Sequence, residues 1–177
     1  SGVFARYLTQ LHAVTADEHA RWSREQQFAF WINVYNAHVV DLVVRNHPLA
    51  SIKDLGGLFS SVWTKSFIEM PALHPSGKPG KLSLDDLEQR ILRKDFHEPR
   101  IHFAIVCASK SCPKLRAEPY RAADLDRPGV GRRQRLVESR DRRRGWGGLE
   151  AALEQADGGL AGGAFQRGMI LAQVGEA

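Results

Sequence analysis

Residues 24–46 constrain the fold most, because their apolar side chains recur with the period of an amphipathic helix. The positions on this apolar stripe are Phe28, Trp31, Ile32, Tyr35, Val39, Leu42 and Val43. Ser23 and Gln26 have the spacing of a capping box at the start of the helix. Pro48 ends it, because proline disfavours helical geometry in the residue before it. We therefore predict one long helix at the centre of the fold.

Two asparagines, Asn33 and Asn36, lie inside this predicted helix. Asparagine is a poor residue for a helix interior, because its amide competes for backbone hydrogen bonds. One interpretation is that both amides tie the helix to a neighbouring loop. The other is that one of them orients a histidine or lines a pocket.

The segments around the long helix predict smaller elements. Apolar spacing predicts an amphipathic helix over residues 3–14, and residues 51–55 resemble a short helical turn. Residues 62–70 predict a strand, followed by a loop that returns into Lys81 and Leu82. This order predicts an α+β domain in which the long helix packs on a small sheet, with further helices around it.

A second capping box, Ser83 with Asp86, predicts a helix over residues 84–94. Glu88 falls on or near the apolar face of that helix. An unpaired acid at a buried position is costly. We therefore expect Glu88 to pair with a base or to accept hydrogen bonds from backbone N–H groups.

Residues 99–115 hold both cysteines of the chain, Cys107 and Cys112, together with His102. The apolar run over residues 101–106 has the length and composition of a buried strand. It leads into a turn rich in hydroxyl groups, residues 107–113, which we call the rim. Sites are often built where such loops meet rigid elements, so we expect the rim to carry the function.

The two cysteines of the rim have different surroundings in the sequence. Cys107 continues the predicted strand, where a cysteine is commonly a small buried side chain. Cys112 lies in the turn between Lys110 and Lys114, an electropositive setting that suits a reactive thiol. Two cysteines are too few for a disulfide scaffold, so they form one bridge in an oxidising compartment or stay free in a reducing one.

The net charge of +5 belongs to one segment of the 177-residue chain. Residues 127–144 contain eight arginines and two acids, a local sum of +6, so the rest of the chain sums to −1. We therefore divide the chain into a globular domain, residues 1–126, and an atypical Arg/Gly-rich tail, residues 127–177, which we expect to be poorly ordered. No stacking aromatics are interleaved with the arginines, so we expect no nucleic-acid partner. No apolar run is long enough to predict a transmembrane segment.

Three stretches carry a resemblance to a known family: residues 30–37 (FWINVYNA), 81–88 (KLSLDDLE) and 100–113 (RIHFAIVCASKSCP). Together they resemble the family called domain of unknown function 547, over about residues 3–126. This family is widespread in bacteria, often in exported proteins, and it implies no activity. The sequence begins at Ser1 rather than at methionine, which leaves room for a removed export signal. On both grounds we slightly favour an exported or periplasmic protein.

The chain departs from the family pattern at two places. Members usually have a histidine directly after the acid of the Asp-Asp-(Ile/Leu)-Glu motif, where this chain has Gln89. If that histidine works in chemistry, this chain is impaired. Members also tend to have an aromatic-rich segment at the C-terminal end of the domain, and nothing after Asp126 resembles it. We hypothesise a shifted reading frame near Arg127, with a natively disordered tail as the alternative.

The rim supports two functions of different classes. The first is a non-catalytic module that binds a peptide or a glycan; the residues proposed for binding are Asn36, Ser109, Lys110 and Ser111. The second is a thiol-dependent enzyme of the papain or transglutaminase type acting on amide bonds, which needs a nucleophile, a base and an orienting group. The nucleophile is Cys112 or Cys107, and the base is His102. The orienting group is Asn33, Asn36 or Glu88.

A metal site is the third interpretation of the same residues. His102, Cys107 and Cys112 offer three ligands. Glu88 could add a fourth. The chain lacks a second Cys/His pair, which argues against a structural zinc site. We therefore predict no metal ion and no cofactor, and we leave open whether the protein is an enzyme.

Overall fold

The computed structural model describes residues 2–49, 51–57, 60–77, 80–108, 115–116 and 118–125. The predicted tail, residues 127–177, lies outside these described residues. Within them the fold is rich in helix and contains a two-stranded antiparallel sheet, which confirms the predicted α+β class. Short 3₁₀ turns connect the main elements; they are Ile52–Leu55, Val62–Thr64, Pro71–Leu73 and Pro99–Phe103.

The predicted long helix is confirmed as α3, Arg24–Arg45. The Ser23 hydroxyl accepts a hydrogen bond from the Gln26 N–H, and the Gln26 side chain accepts one from the Ser23 N–H, so the capping box is complete. Side chains all around the middle of α3 are buried, including Phe30, Ile32 and Val39 at 0% exposure. A helix buried on every side is the centre of its domain, and the other elements pack around it.

Two shorter helices precede α3 along the chain. Helix α1, Gly2–His12, confirms the predicted amphipathic helix, and it buries Leu8 and Leu11 in the core. Helix α2, Ala16–Arg21, begins at Thr15, whose hydroxyl accepts a hydrogen bond from the Glu18 N–H. Threonine is a preferred N-cap because it satisfies one of the unpaired N–H groups of the first turn.

The sheet pairs β1, Ile68–Glu69, with β2, Lys81–Leu82. Ile68 lies opposite Leu82 on the buried face, and Glu69 lies opposite Lys81 on the exposed face with an ion pair of 2.7 Å. The predicted return into β2 is confirmed. The predicted strand over residues 62–70 was too long, because residues 62–64 form a 3₁₀ turn and only two residues pair with β2.

The predicted helix over residues 84–94 is present, but most of it is a π-helix, Asp86–Asp95. The Asp86 carboxylate accepts hydrogen bonds from the N–H and hydroxyl of Ser83, and the Ser83 hydroxyl accepts one from the Asp86 N–H. This confirms the second capping box. Leu87, Ile91 and Leu92 of the π-helix are buried, and the π-helix packs on α3.

The prediction of a buried strand over residues 101–106 was wrong. The chain forms the 3₁₀ turn Pro99–Phe103 there, and the Ala104 N–H donates to the Ile101 carbonyl at 2.9 Å. Ile101, Ala104, Ile105 and Val106 are buried, as the apolar run indicated. A short apolar run is equally compatible with a buried strand and with a buried turn of helix, so periodicity could not distinguish them.

Helix α4, Ala122–Leu125, follows at the end of the described residues and packs on α3. In the described part of the chain, no helix combines the length and the apolar character needed to cross a membrane.

Candidate functional site

Asn36 binds the backbone just before the rim. Its Nδ2 donates to the Ala104 carbonyl at 2.9 Å, and its Oδ1 accepts from the Val106 N–H at 2.9 Å. Asn36 is 7% exposed, so both hydrogen bonds are buried. A carbonyl and an N–H two residues apart are the groups that a neighbouring strand would bind. The Asn36 amide therefore takes the place of a strand partner for residues 104–106.

Asn33, one turn earlier on α3, makes the same kind of contact beyond the rim. Its Nδ2 donates to the Tyr120 carbonyl at 2.9 Å, and its Oδ1 accepts from the Tyr120 N–H at 2.8 Å. Asn33 is buried as well. Asn33 and Asn36 together tie residues 104–106 and Tyr120, on either side of the rim, to one rigid helix. We call this arrangement the asparagine clamp.

The asparagine clamp supports the first of the two interpretations drawn from the sequence. Both amides bind the backbone of neighbouring segments, with donor and acceptor each engaged. Since a buried polar group needs its partners, these hydrogen bonds explain why asparagine stands inside the helix. Among the described residues, neither amide is hydrogen-bonded to a histidine.

Glu88 and His102, both proposed from the sequence, are brought together by Arg93. The Arg93 guanidinium donates to Glu88 Oε1 from Nε at 3.1 Å and from Nη2 at 2.8 Å. The same Nη2 lies 3.1 Å from His102 Nε2. The expected pairing of Glu88 with a base is confirmed. The imidazole of His102 is exposed, so this cluster lies at the surface.

The π-helix explains how Glu88 reaches Arg93. Residues five apart lie on different faces of an α-helix, where partners are three or four residues apart. In a π-helix the hydrogen bonds join residues five apart, so positions 88 and 93 lie one above the other. Sequence reasoning missed Arg93 because it assumed α-helical spacing. The exposed Gln89 follows Glu88 on the same helix.

Tyr35 is a second residue of this region that sequence reasoning assigned only to the core. Burial raises the pKa of its phenol, and the negative charges of Glu88 and Asp85 raise it further. The phenol therefore stays protonated at neutral pH. This effect shows that Tyr35 on α3 lies in the electrostatic field of the Glu88 cluster.

Cys107, at the start of the rim, is disulfide-bonded. The next residue, Ala108, has a φ of +51°, a left-handed conformation that costs a residue with a Cβ atom about 1 kcal/mol or more. The asparagine clamp holds the chain two residues before this point, at Val106. The backbone at Ala108 is therefore strained, and it directly follows a segment that the asparagine clamp holds in place. Cys112, Ser109, Lys110 and Ser111 lie outside the described residues.

No group of three or more His, Cys, Asp or Glu side chains is placed to hold a metal ion within the described ranges. Cys107 is engaged in its disulfide, and the Glu88 carboxylate is paired with Arg93.

A known protein family is similar to this chain. The family model described as "Protein of unknown function, DUF547" matches residues 19–128. The match includes α3, the sheet, the π-helix, the rim and Tyr120. Searches of curated proteins and of solved structures found no match.

Proposed function

Because the chain belongs to the DUF547 family of proteins of unknown function, whose description assigns no activity, we propose a function from the candidate site alone. The protein is a recognition module that binds a peptide or a glycan at the rim. Ser109, Lys110 and Ser111 supply hydroxyl and ammonium groups for the ligand. Asn36 supports the binding site by holding the backbone segment that leads into the rim.

The observation that carries this proposal is the asparagine clamp. Four buried hydrogen bonds from Asn33 and Asn36 hold the backbone before and after the rim. A binding loop whose ends are held in this way loses less conformational entropy when a ligand binds, which raises affinity. The disulfide at Cys107 restrains the same loop further. Both restraints favour recognition by a preorganised surface.

A direct binding experiment tests the proposal. The full chain is screened against immobilised peptides and oligosaccharides, and dissociation constants are then measured by calorimetry for the probes that bind. We expect Lys110→Ala to weaken binding about tenfold, the loss of one charge-assisted hydrogen bond. Lys53→Ala, an exposed lysine in the Ile52–Leu55 turn, is the matched control and should leave the affinity unchanged.

Two results would contradict this function. One is a chain that binds no peptide and no oligosaccharide in the screen. The other is a ligand whose affinity is equally insensitive to Lys110→Ala and to the combined change Ser109→Ala and Ser111→Ala.

A thiol-dependent enzyme acting on amide bonds is the second candidate, favoured by the cluster that joins Glu88 and His102 through Arg93. In this mechanism Cys112 is the nucleophile, His102 the base, and Glu88 orients the base through Arg93, while Asn33 positions the backbone. The reaction needs a free thiolate. Reduction followed by iodoacetamide labelling at neutral pH tests it: fast labelling of Cys112 that slows in His102→Ala favours the enzyme, and labelling at the rate of a free cysteine excludes it.

A further inference from the structure

Two histidines from different helices meet on the side of α3 that faces α1. His12 Nε2, at the end of α1, lies 3.0 Å from His38 Nε2 in the middle of α3. The ring centroids are 5.1 Å apart and the planes differ by 22°. Since the centroids are much farther apart than the two nitrogens, the rings meet end to end in nearly one plane. We call this the histidine contact.

The hydrogen-bond partners of His38 define where the proton lies. His38 Nδ1 is 2.7 Å from the Val34 carbonyl oxygen. A carbonyl only accepts, so Nδ1 carries a hydrogen and donates it. In the neutral ring, Nε2 of His38 is then an acceptor. The proton in the histidine contact therefore belongs to His12, which donates it to His38.

The histidine contact lies where a second proton is poorly tolerated. His38 is 3% exposed, and the ring of Phe67 lies 6.4 Å from its own. Burial lowers the pKa of His38 to about 4, although the hydrogen bond to the Val34 carbonyl raises this pKa. The positive charge of a protonated His12 lowers it further. When both rings are protonated, every ring nitrogen is a donor, so His38 could no longer accept from His12 and two donors would face each other at 3.0 Å.

The charged groups around the pair come from three elements. On α3, Asp41 favours the protonated form of both rings and Arg45 opposes it at His38. On β1, Glu69 favours the protonated form of His12, although it is also paired with Lys81 of β2. Burial outweighs these charges at His12 as well and lowers its pKa. The surroundings therefore tolerate a neutral pair and oppose a doubly protonated one.

The histidine contact is also the polar attachment of α1. Among the described residues, α1 makes two side-chain hydrogen bonds. The Thr9 hydroxyl donates to the Ala5 carbonyl within α1, so the histidine contact is the one that joins α1 to another element. Beneath it, α1 rests on the core through Leu8 and Leu11. The contact thus holds the C-terminal end of an apolar helix face against α3.

We propose that the histidine contact is an acid-sensitive attachment that releases α1 from α3 when His38 takes up a proton. The step is the uptake of a proton from solvent at Nε2 of His38 while His12 is already protonated, which breaks the hydrogen bond from His12 and leaves two facing N–H groups. Release uncovers the apolar side of α1 and the core surface beneath it. The asparagine clamp, which ties residues 104–106 and Tyr120 to α3, contains no titratable group, so the body of the fold keeps its structure.

Amide hydrogen exchange of the full chain tests this proposal. Protection factors, corrected for the intrinsic rates, are compared between about pH 7 and about pH 4.5, a range that covers most of the window between the pKa of free imidazole near 6.5 and that of buried His38 at about 4. We expect the protection of residues 2–12 to fall about tenfold or more, while that of residues 28–40 is retained. In His38→Gln the fall should be much smaller, because only the burial of His12 then still opposes a proton.

A second variant and a control keep the test decisive if His38→Gln folds poorly. His12→Gln can donate to a neutral His38 and accept from a protonated one, so the acid-induced fall should be smaller than in the native chain. His74→Gln, at a partly exposed histidine bonded to Ser76, should behave like the native chain. Three outcomes would each overturn the proposal. They are unchanged protection of α1 in the native chain, a fall in both His38→Gln and His12→Gln as large as in the native chain, and a joint loss of protection in α1 and α3.

Discussion

Helix α3 makes buried polar contacts on two sides, and the two contacts differ in chemistry. Towards the rim it uses the amides of Asn33 and Asn36, and towards α1 it uses the imidazole of His38. Amides do not titrate in the range where proteins are folded, whereas imidazole changes charge near pH 6.5. The same helix therefore holds one side of the fold independently of pH and the other side only while His38 is neutral.

This difference indicates which part of the molecule has to keep its geometry. The clamped backbone leads into the rim, where we place the binding site. The histidine contact holds a terminal helix that contributes apolar cover.

The largest effect is expected for Asn36→Ala. This change leaves the Ala104 carbonyl and the Val106 N–H buried without their partner, and each such group costs about 1–3 kcal/mol. We expect the free energy of unfolding to fall by about 2–5 kcal/mol in urea denaturation. Asn46→Ala is the control, because exposed Asn46 also donates to a helix carbonyl, that of Leu42, and its loss should cost about 0.5 kcal/mol. Equal costs would show that the clamp is not a stabilising contact.

The next effect is the pH dependence of stability. The pKa of His38 is about 4 in the fold and near 6.5 in the unfolded chain, so protons bind the unfolded state more readily. Stability is therefore complete above about pH 6.5 and is lost as the pH falls through about 4. We expect His38 to contribute a loss of about 2–3 kcal/mol between pH 7 and pH 4, so the total loss should be smaller by that amount in His38→Gln.

The same pH titration of Asn36→Ala separates the two contacts of α3. The loss of unfolding free energy caused by Asn36→Ala should be the same at pH 7 and at pH 4, because no titratable group takes part in the asparagine clamp. A cost that changes with pH would mean that the clamp and the histidine contact are coupled through α3.

A smaller effect is expected for the surface cluster of Glu88 and Arg93. Their side chains are 22% and 35% exposed, so solvent screens the pair. A double-mutant cycle with Glu88→Gln and Arg93→Gln should give a coupling of about 0.5–1 kcal/mol that decreases with added salt. The pair of Asp41 and Arg45 at α-helical spacing, whose side chains are 16% and 71% exposed, is the control, with about 0.3–0.5 kcal/mol. No coupling between Glu88 and Arg93 would argue against their five-residue register.

The smallest effects concern backbone conformation away from both contacts. His97 follows the π-helix with a φ of +49°, and it is exposed, so His97→Gly should stabilise the fold by about 0.5–1 kcal/mol. Gly77 has a φ of +65° with open space where a Cβ atom would lie, so Gly77→Ala should destabilise the fold by a similar amount through the backbone alone. Thermal denaturation measures both, and changes of the same sign would contradict this explanation.

The sequence by itself determined the elements that depend on neighbours along the chain. The apolar stripe of residues 24–45, the two capping boxes and the return into Lys81 and Leu82 all follow from spacings of a few residues, and the structure has each of them. The need of Glu88 for a basic partner was also readable, because a carboxylate near an apolar face is costly when it is alone.

Only the tertiary structure decided the conformation before the rim and the partners of the polar side chains on α3. Residues 104–106 do not need a neighbouring strand, because Asn36, 68 residues earlier than Ala104, supplies the donor and acceptor that a strand would supply. His12 and His38 are 26 residues apart, and no local pattern joins them. Hydrogen bonds between distant segments depend on how the helices pack, and that packing is a property of the whole core rather than of any short stretch of sequence.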